Sequence, residues 1–507
     1  MNFQAQNNLD CQDIRIWRLG TIDLEVKKLL YNQYQLLTKK IQILQTKENL
    51  VYLEDGAILR NEQLKISNNH PQLLKYVDQI KYLQWEGQYG EKYKKKVGYW
   101  QPTWQGKELK GAGGYYDNGL KQGLWKELAK NYQIQAQIYE KGEYINDIKQ
   151  GTWKYIYNND IIGGGYYDYQ GLKNGKWIEL HDEFWKDEQI LYIGEYKDNR
   201  KIGIWDIWFK EEYGIKFQQI GGGSYDCGGD NNKIGRWIEP IDGRTCASKA
   251  TQNGAYKNGK KIGRWDIKQK GELMYNIKIA QQNSGGGLYD SEGNGHKIGK
   301  WVELNDRFDN WTFVTEKGKY QNGQRVGKWA IKFEEEKIGG GSYDEIGNGI
   351  KIGNWVELSY AFWRDVQVTQ YGEYKNGKKV GRWFFENEEE QIGGGSYHED
   401  GNETKIGYWG ELSDEFSSGS EITYNGQYKD GKKVGRWDIM FRDEQIGGGS
   451  YDDEGYGLKI GKWIESTEIF GLGSEITYNG EYQNGKKVGK WLEMRDTQQQ
   501  RQIDYDY

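Results

Sequence analysis

Cysteine, proline and aliphatic side chains are scarce in this chain. Its 507 residues include three cysteines, three prolines and four methionines, and only 36% of the residues are hydrophobic. The cysteines, Cys11, Cys227 and Cys246, are odd in number and far apart, which excludes a disulfide framework. No basic segment leads into an apolar one at the start, so a reducing, cytoplasmic setting is expected. Nor is there a run of about 18 apolar residues that could form a membrane-spanning helix. Seventy basic residues against 75 acidic ones leave a net charge of −5. Such a balance gives no global attraction to nucleic acid or anionic lipid, so any attraction must come from local segregation of charge.

Catalytic patterns are missing too. The four histidines, His70, His181, His296 and His398, are not spaced for a metal site or a Ser-His-Asp triad. No Gly-Lys pair is followed by Ser or Thr, as a phosphate-cradling loop requires. Triple glycines such as Gly393-Gly394-Gly395 lead into Ser-Tyr and a strand, not into a helix that could hold a pyrophosphate. The expectation is a protein that is not an enzyme and uses no cofactor or metal. Nucleic acid is not an expected partner either, because the aromatic residues are committed to a sheet and few remain to stack on bases.

What the chain has in abundance is glycine, tryptophan and tyrosine: 71, 22 and 40 residues. They recur in order. Fifteen times between Gly87 and Trp491 a Gly-x-Tyr is followed by a Gly-x-Trp, the two rings nine to twelve residues apart. A short version, GEYKNGKKVGRW at 372–383, alternates with a long one, GGGSYDEIGNGIKIGNW at 339–355. Tryptophans of successive short versions lie 53, 52, 60, 64, 54, 54 and 54 residues apart. A fixed period of this size signals a repeat array in which each unit buries its apolar face against its neighbours.

Asn376-Gly377 is the dipeptide favoured in a two-residue hairpin turn. Taking it as the tip pairs Lys375 with Lys378, Tyr374 with Lys379, Glu373 with Val380 and Gly372 with Gly381. In the last copy the same count sets Tyr478 opposite Trp491 and Gly480 opposite Gly489, two bare glycines roofed by aromatic rings. A wider loop over Asn-Gly-Lys-Lys-Val-Gly is the competing register. The repeat positions Gly372, Tyr374, Gly381, Trp383, Gly426, Tyr428, Gly435, Trp437, Gly480, Tyr482, Gly489 and Trp491 then read as structural. The fold expected is an all-β repeat array, an elongated twisted single-layer antiparallel sheet of about fifteen hairpins over residues 85–494, with a short helical N-terminal segment.

That segment, residues 1–84, lacks the repeat. Its apolar positions Val26, Leu30, Tyr34, Leu37, Ile41 and Leu44 predict an amphipathic helix from Ile22 to Leu44, capping the sheet or pairing as a coiled coil. Residues 50–66 read as two short strands around Asp55-Gly56. The tail, 495–507, rich in glutamine and charge, reads as disordered.

Two surface features are candidates for function. Hairpin tips carry Lys260, Lys261, Lys378, Lys379, Lys432, Lys433, Lys486 and Lys487, while the opposite edge collects Glu334, Glu335, Glu336, Glu388, Glu389, Glu390, Asp443 and Glu444. The lysine edge is either an anion- or lipid-reading surface or a row of solvated turns. The long connections carry Trp185, Phe308, Trp311, Phe362, Trp363, Phe416 and Phe470. These either protrude as partner-binding anchors or tuck back over the sheet.

The unit YNGEYQNGKKVGKW at 478–491 resembles the MORN (membrane occupation and recognition nexus) repeat, and is closest to its variant form, which favours Gly-Lys-Lys-x-Gly-x-Trp. The similarity covers about 87–491. It implies a single-layer antiparallel sheet used for protein–protein contact and, in some members, for phosphoinositide or membrane association. The histidine common before the third glycine in that family is Val380, Val434 or Val488 here.

Three functions follow as expectations. The first is a non-catalytic scaffold binding other proteins, able to self-associate through sheet edges. The second is a peripheral membrane or phosphoinositide adaptor acting through the lysine edge, cytoplasmic and attached to membrane or cytoskeleton. The third is an antitoxin-like inhibitor of an enzyme.

Overall fold

The structure is a computed structural model. It describes residues 20–505 except 31–34, 47–48, 64–72, 92–94, 211–213, 215, 229, 242–249, 270–284, 307–311, 313, 468–469, 472, 474 and 496–497.

Nearly all of it is antiparallel strand. The expected N-terminal helix is instead a β-hairpin of β1 (Gly20–Leu30) and β2 (Gln35–Gln45), pairing Ile22 with Ile43, Leu24 with Ile41 and Val26 with Lys39. Residues Ile22, Leu24 and Val26 alternate with polar ones at period two, and so do Ile41 and Ile43, which puts one apolar face on each strand. The helix-like spacing arose by counting across the two strands as if they were one element. With β3 (Asn49–Glu54) and β4 (Ala57–Gln63) they form a four-stranded sheet in sequence order. Its core joins Leu24, Val26, Ile41, Ile43, Leu50 and Tyr52 to Val77 and Ile80 of the one described helix, α1 (Val77–Tyr82). The two short strands expected around Asp55-Gly56 are β3 and β4.

From Leu83–Tyr89 to Gln498–Tyr505, 32 strands form one long antiparallel sheet, its ladders running between strands that follow each other in the chain, save that Lys96–Trp104 pairs with Gly113–Asp117 past the two-residue strand Lys107–Glu108. The count exceeds fifteen hairpins partly because the tail does not stay free. Gln498–Tyr505 pairs with Lys486–Arg495, placing Ile503 opposite Trp491. It covers what would be an unpaired edge, and the Tyr505 ring sits 6.3 Å from that of Trp491.

The short hairpins have the expected tips. Asn376 and Gly377 lie at φ 51° and 78°, as a type I′ turn demands, and Lys375–Lys378, Tyr374–Lys379 and Glu373–Val380 are paired. Beyond Val380 the expected register fails. Tyr371 faces Phe384, and in the last copy Tyr478 faces Glu493 in place of Trp491. A bulge at Gly-x-Trp is responsible. Gly381 adopts φ 59°, which favours glycine, and the strand kinks there so that the Trp383 indole lies flat on Gly372, where a Cβ would overlap the ring. The two glycines of each repeat thus do different work, one giving a turn and the other giving room.

The result is an edge-to-face aromatic ladder. Tyr374 and Trp383 are 5.3 Å apart at 87°, Trp383 and Tyr397 6.4 Å apart at 90°. The same contacts continue from Tyr89–Trp100 to Trp491–Tyr505, supplying the core that aliphatic residues supply elsewhere.

The ribbon does not run straight. Lys27 Nζ is 3.2 Å from Glu183 and Lys28 Nζ is 2.9 Å from Asp414. Sixteen strands separate those two acidic residues, roughly 77 Å in a flat ribbon at ~4.8 Å per strand. Two adjacent lysines cannot span that distance, so the array is wound about the N-terminal sheet.

Candidate interaction face

Each repeat tryptophan carries a cation on its ring. Lys379 Nζ is 3.9 Å from the centroid of Trp383, Lys433 4.3 Å from Trp437 and the Arg325 guanidinium 4.2 Å from Trp329. This changes the lysine edge. Only the first lysine of each tip pair remains at the tip: Lys260, Lys378 and Lys486 are exposed and Lys432 is half-buried. The second ones, Lys261, Lys379, Lys433 and Lys487, fold back over the indoles. Lys378 is itself engaged, 3.1 Å from Glu403.

What draws them in is the glutamate two residues after each long-hairpin tryptophan. Glu357 pairs with Lys351 and with Lys379 at 3.2 Å, and the Tyr374 hydroxyl donates to it at 3.0 Å. Glu411 and Glu465 are held in the same way by Lys405, Lys433 and Tyr428, and by Lys459, Lys487 and Tyr482. Burial alone would raise these carboxyls, but the flanking lysines overcome it and hold Glu411 and Glu465 down at about 2. Burial lowers the Lys379 ammonium against the pull of Glu357. Sequence reading missed this cage, although the recurring Trp-x-Glu was its visible signal.

One rung is visited from outside the array. The β3–β4 turn presents Asp55 to Lys433 Nζ at 2.6 Å and accepts a hydrogen bond from the Tyr451 hydroxyl at 2.9 Å. Two backbone bonds seat it: Lys459 N–H donates to the Gly56 carbonyl at 3.0 Å, and Ile58 N–H to the Gly485 carbonyl at 2.8 Å. Burial works against the Asp55 charge, but Lys433 and Lys459 hold its carboxyl well below the usual range.

The loop aromatics tuck back. Trp185 joins the buried cluster of Phe184, Ile138 and Tyr157; Phe362 packs on Phe333 and Val314; Phe416 lies with Val368 and Leu412, and Phe470 with Ile422 and Ile439. Trp363 is half-buried. They are therefore not exposed anchors. Each loop has to close the core beyond the reach of the ladder. Phe308, Trp311, His70, Cys11 and Cys246 lie outside the described residues. Cys227 is exposed, and His181 stacks on Tyr192.

The acidic edge holds strained turns. Glu334 and Glu335 lie at φ 47° and 73°, Glu388 and Glu389 at 49° and 68°, a region that glutamate rarely adopts. Among the described residues no group of three or more His, Cys, Asp or Glu is placed to hold a metal ion, and no helix is long and apolar enough to cross a membrane. No protein-family model and no curated protein matches the chain.

Proposed function

We propose that the protein is a scaffold whose coiled repeat sheet binds other proteins through its cage-lined aromatic ladder and the loops at its edges. The observation that carries this reading is that the array already holds one folded module. The N-terminal sheet is gripped at three separated places, through Glu183, Asp414 and Lys433. A surface with repeated polar cages on a stiff aromatic base is suited to reading several points of a partner at once. The resemblance to MORN-variant repeats points the same way.

The membrane-adaptor reading has less support, because half of the tip lysines are neutralised over the ladder and cannot reach a headgroup. The experiment is co-purification of the full chain after cross-linking from the long loops and the ladder face, washed at low and high salt. A defined protein recovered at both salt concentrations is the expected result. Capture only on anionic vesicles, lost as salt rises, would favour the lipid adaptor instead.

A further inference from the structure

Each short-hairpin cation described so far donates to the glutamate of the long hairpin before it, and the residue nine positions earlier decides whether it gains a second acceptor. Lys149 reaches Glu140 at 2.5 Å, Lys261 reaches Gln252 at 2.7 Å, Arg325 reaches Glu316 at 2.6 Å and Lys379 reaches Gln370 at 3.1 Å. Three units have tyrosine there: Tyr424 before Lys433, Tyr192 before Lys201 and Tyr478 before Lys487, the last followed by the strand Gln498–Tyr505, which brings no further lysine. Tyrosine offers its ring but no carboxylate, and Tyr424 and Tyr192 lie 5.7 Å and 5.5 Å from their lysines.

At Lys433 the missing acceptor comes from elsewhere in the chain, as Asp55. At Lys201 the ion pair on the described residues is with Glu179, at 2.9 Å. Around it lies a cavity of about 170 Å³, lined by Tyr192, Lys201, Tyr225, Lys233 and Glu239 among others. These match Tyr424, Lys433, Tyr451, Lys459 and Glu465 position for position in the repeat, which are the residues around the seat of Asp55. The Lys201 side chain is 24% exposed where Lys433, under Asp55, is 10%. The cavity thus corresponds to the seat of Asp55, and among the described residues no second carboxylate is paired with Lys201 there.

We propose that the Lys201–Tyr225–Lys233 cradle is a receptor for an aspartate or glutamate side chain at the tip of a turn on a partner protein. Lys201 takes one carboxylate oxygen and the Tyr225 hydroxyl donates to the other, as Lys433 and Tyr451 do for Asp55. The partner is a different polypeptide, since each copy's own Asp55 is held by its own Lys433. This rests on the scaffold reading above and gives it one specific contact.

The test uses the full chain and a cyclised, fluorescent peptide copying residues 49–63, with Asp55 at its turn, followed by anisotropy. Binding at one site is expected, at least about tenfold weaker with the Asp55→Asn peptide, and equally weakened by Lys201→Met or by Tyr225→Phe in the protein. Tyr225→Phe removes one hydroxyl and leaves the ring in the ladder, so it decides the matter where Lys201→Met fails to fold. Lys433→Met should leave peptide binding in place. No binding to the wild-type chain, binding indifferent to both cradle variants, or equal competition by free acetate or inorganic phosphate would overturn the proposal. Partners recovered by cross-linking with a silent cradle would sink this inference alone and leave the scaffold standing.

Discussion

Tyr451 and Asp55, 396 residues apart in the chain, share a hydrogen bond of 2.9 Å in which the phenol donates to the carboxylate. A hairpin tip from the N-terminal sheet is thereby fixed to the face of the distant repeat array. Lys433 completes the contact by charge, at 2.6 Å.

Replacing Asp55 by asparagine should loosen this contact without unfolding either part. The carboxylate is partly open to solvent, its side chain 40% exposed, so the cost should be about 1–2 kcal/mol. Amide exchange reads it directly: Ile58 N–H, bonded to the Gly485 carbonyl, should exchange roughly tenfold faster, while amides within the ladder stay protected. Unchanged exchange at Ile58 would mean that the backbone bonds alone hold the hairpin.

Acid should weaken the ladder cages in a defined window. Glu411 and Glu465 sit at about 2 in the folded chain, below the ~4.3 of an unfolded glutamate. As pH falls the unfolded chain therefore binds protons first. The stabilisation is complete above pH ~4.3 and is lost progressively down to about 2, at roughly 2–3 kcal/mol for each carboxyl. Denaturation midpoints measured from pH 6 to pH 2 should be level at the start and fall steeply below about 4.

Gly372→Ala and Gly381→Ala should differ in kind. The first methyl meets the Trp383 indole, so overpacking of about 1–3 kcal/mol is expected, with a shift in tryptophan emission. The second meets open space apart from the Glu399 side chain and costs only the left-handed backbone at φ 59°, about 1–2 kcal/mol. Equal emission changes in both would argue against this division of labour.

Within a cage, Glu357→Gln should be worse than Lys379→Met. The glutamine leaves Lys351 and Lys379 facing each other near a half-compensated centre, at about 3 kcal/mol or more. The methionine keeps the stem on Trp383 and leaves Glu357 paired to Lys351. Urea unfolding of the two variants and of the double variant should show that they do not add.

The strained acidic turns allow a gain. Glu334→Asn with Glu335→Gly matches the residues to φ 47° and 73°, and should raise stability by about 1 kcal/mol. A loss would show that the exposed pair of Glu335 with Lys332, at 3.1 Å, outweighs the backbone strain.

The array was legible because its signals are local and repeated: Asn376-Gly377 dictates a turn, and Trp383 needs a glycine beneath it. The register beyond Val380 was not, since Gly381 bulges through a backbone angle that sequence does not write down. Val26 to Leu44 misled because two paired strands can imitate one helix when their apolar residues are counted end to end. Phe362 and Phe416 could be read as anchor or as core, and only the depth of the loops decided between them. Lys379 looked like a tip charge because its pull toward Glu357 acts across strands, between residues 22 positions apart. The seat of Asp55 joins two regions with no shared pattern, so no reading of either alone could have joined them.

Winding around the N-terminal sheet also makes that sheet a gauge. Lys27 and Lys28 reach loops that occupy the same place in their units, at Glu183 and Asp414, four units apart. Removing or inserting one two-hairpin unit between them would leave every rung of the ladder intact, yet carry Asp414 out of reach of Lys28 and Lys433 away from Asp55. Repeat arrays usually tolerate changes in copy number; here the number of units in that turn is measured by a part of the molecule that is not itself a repeat.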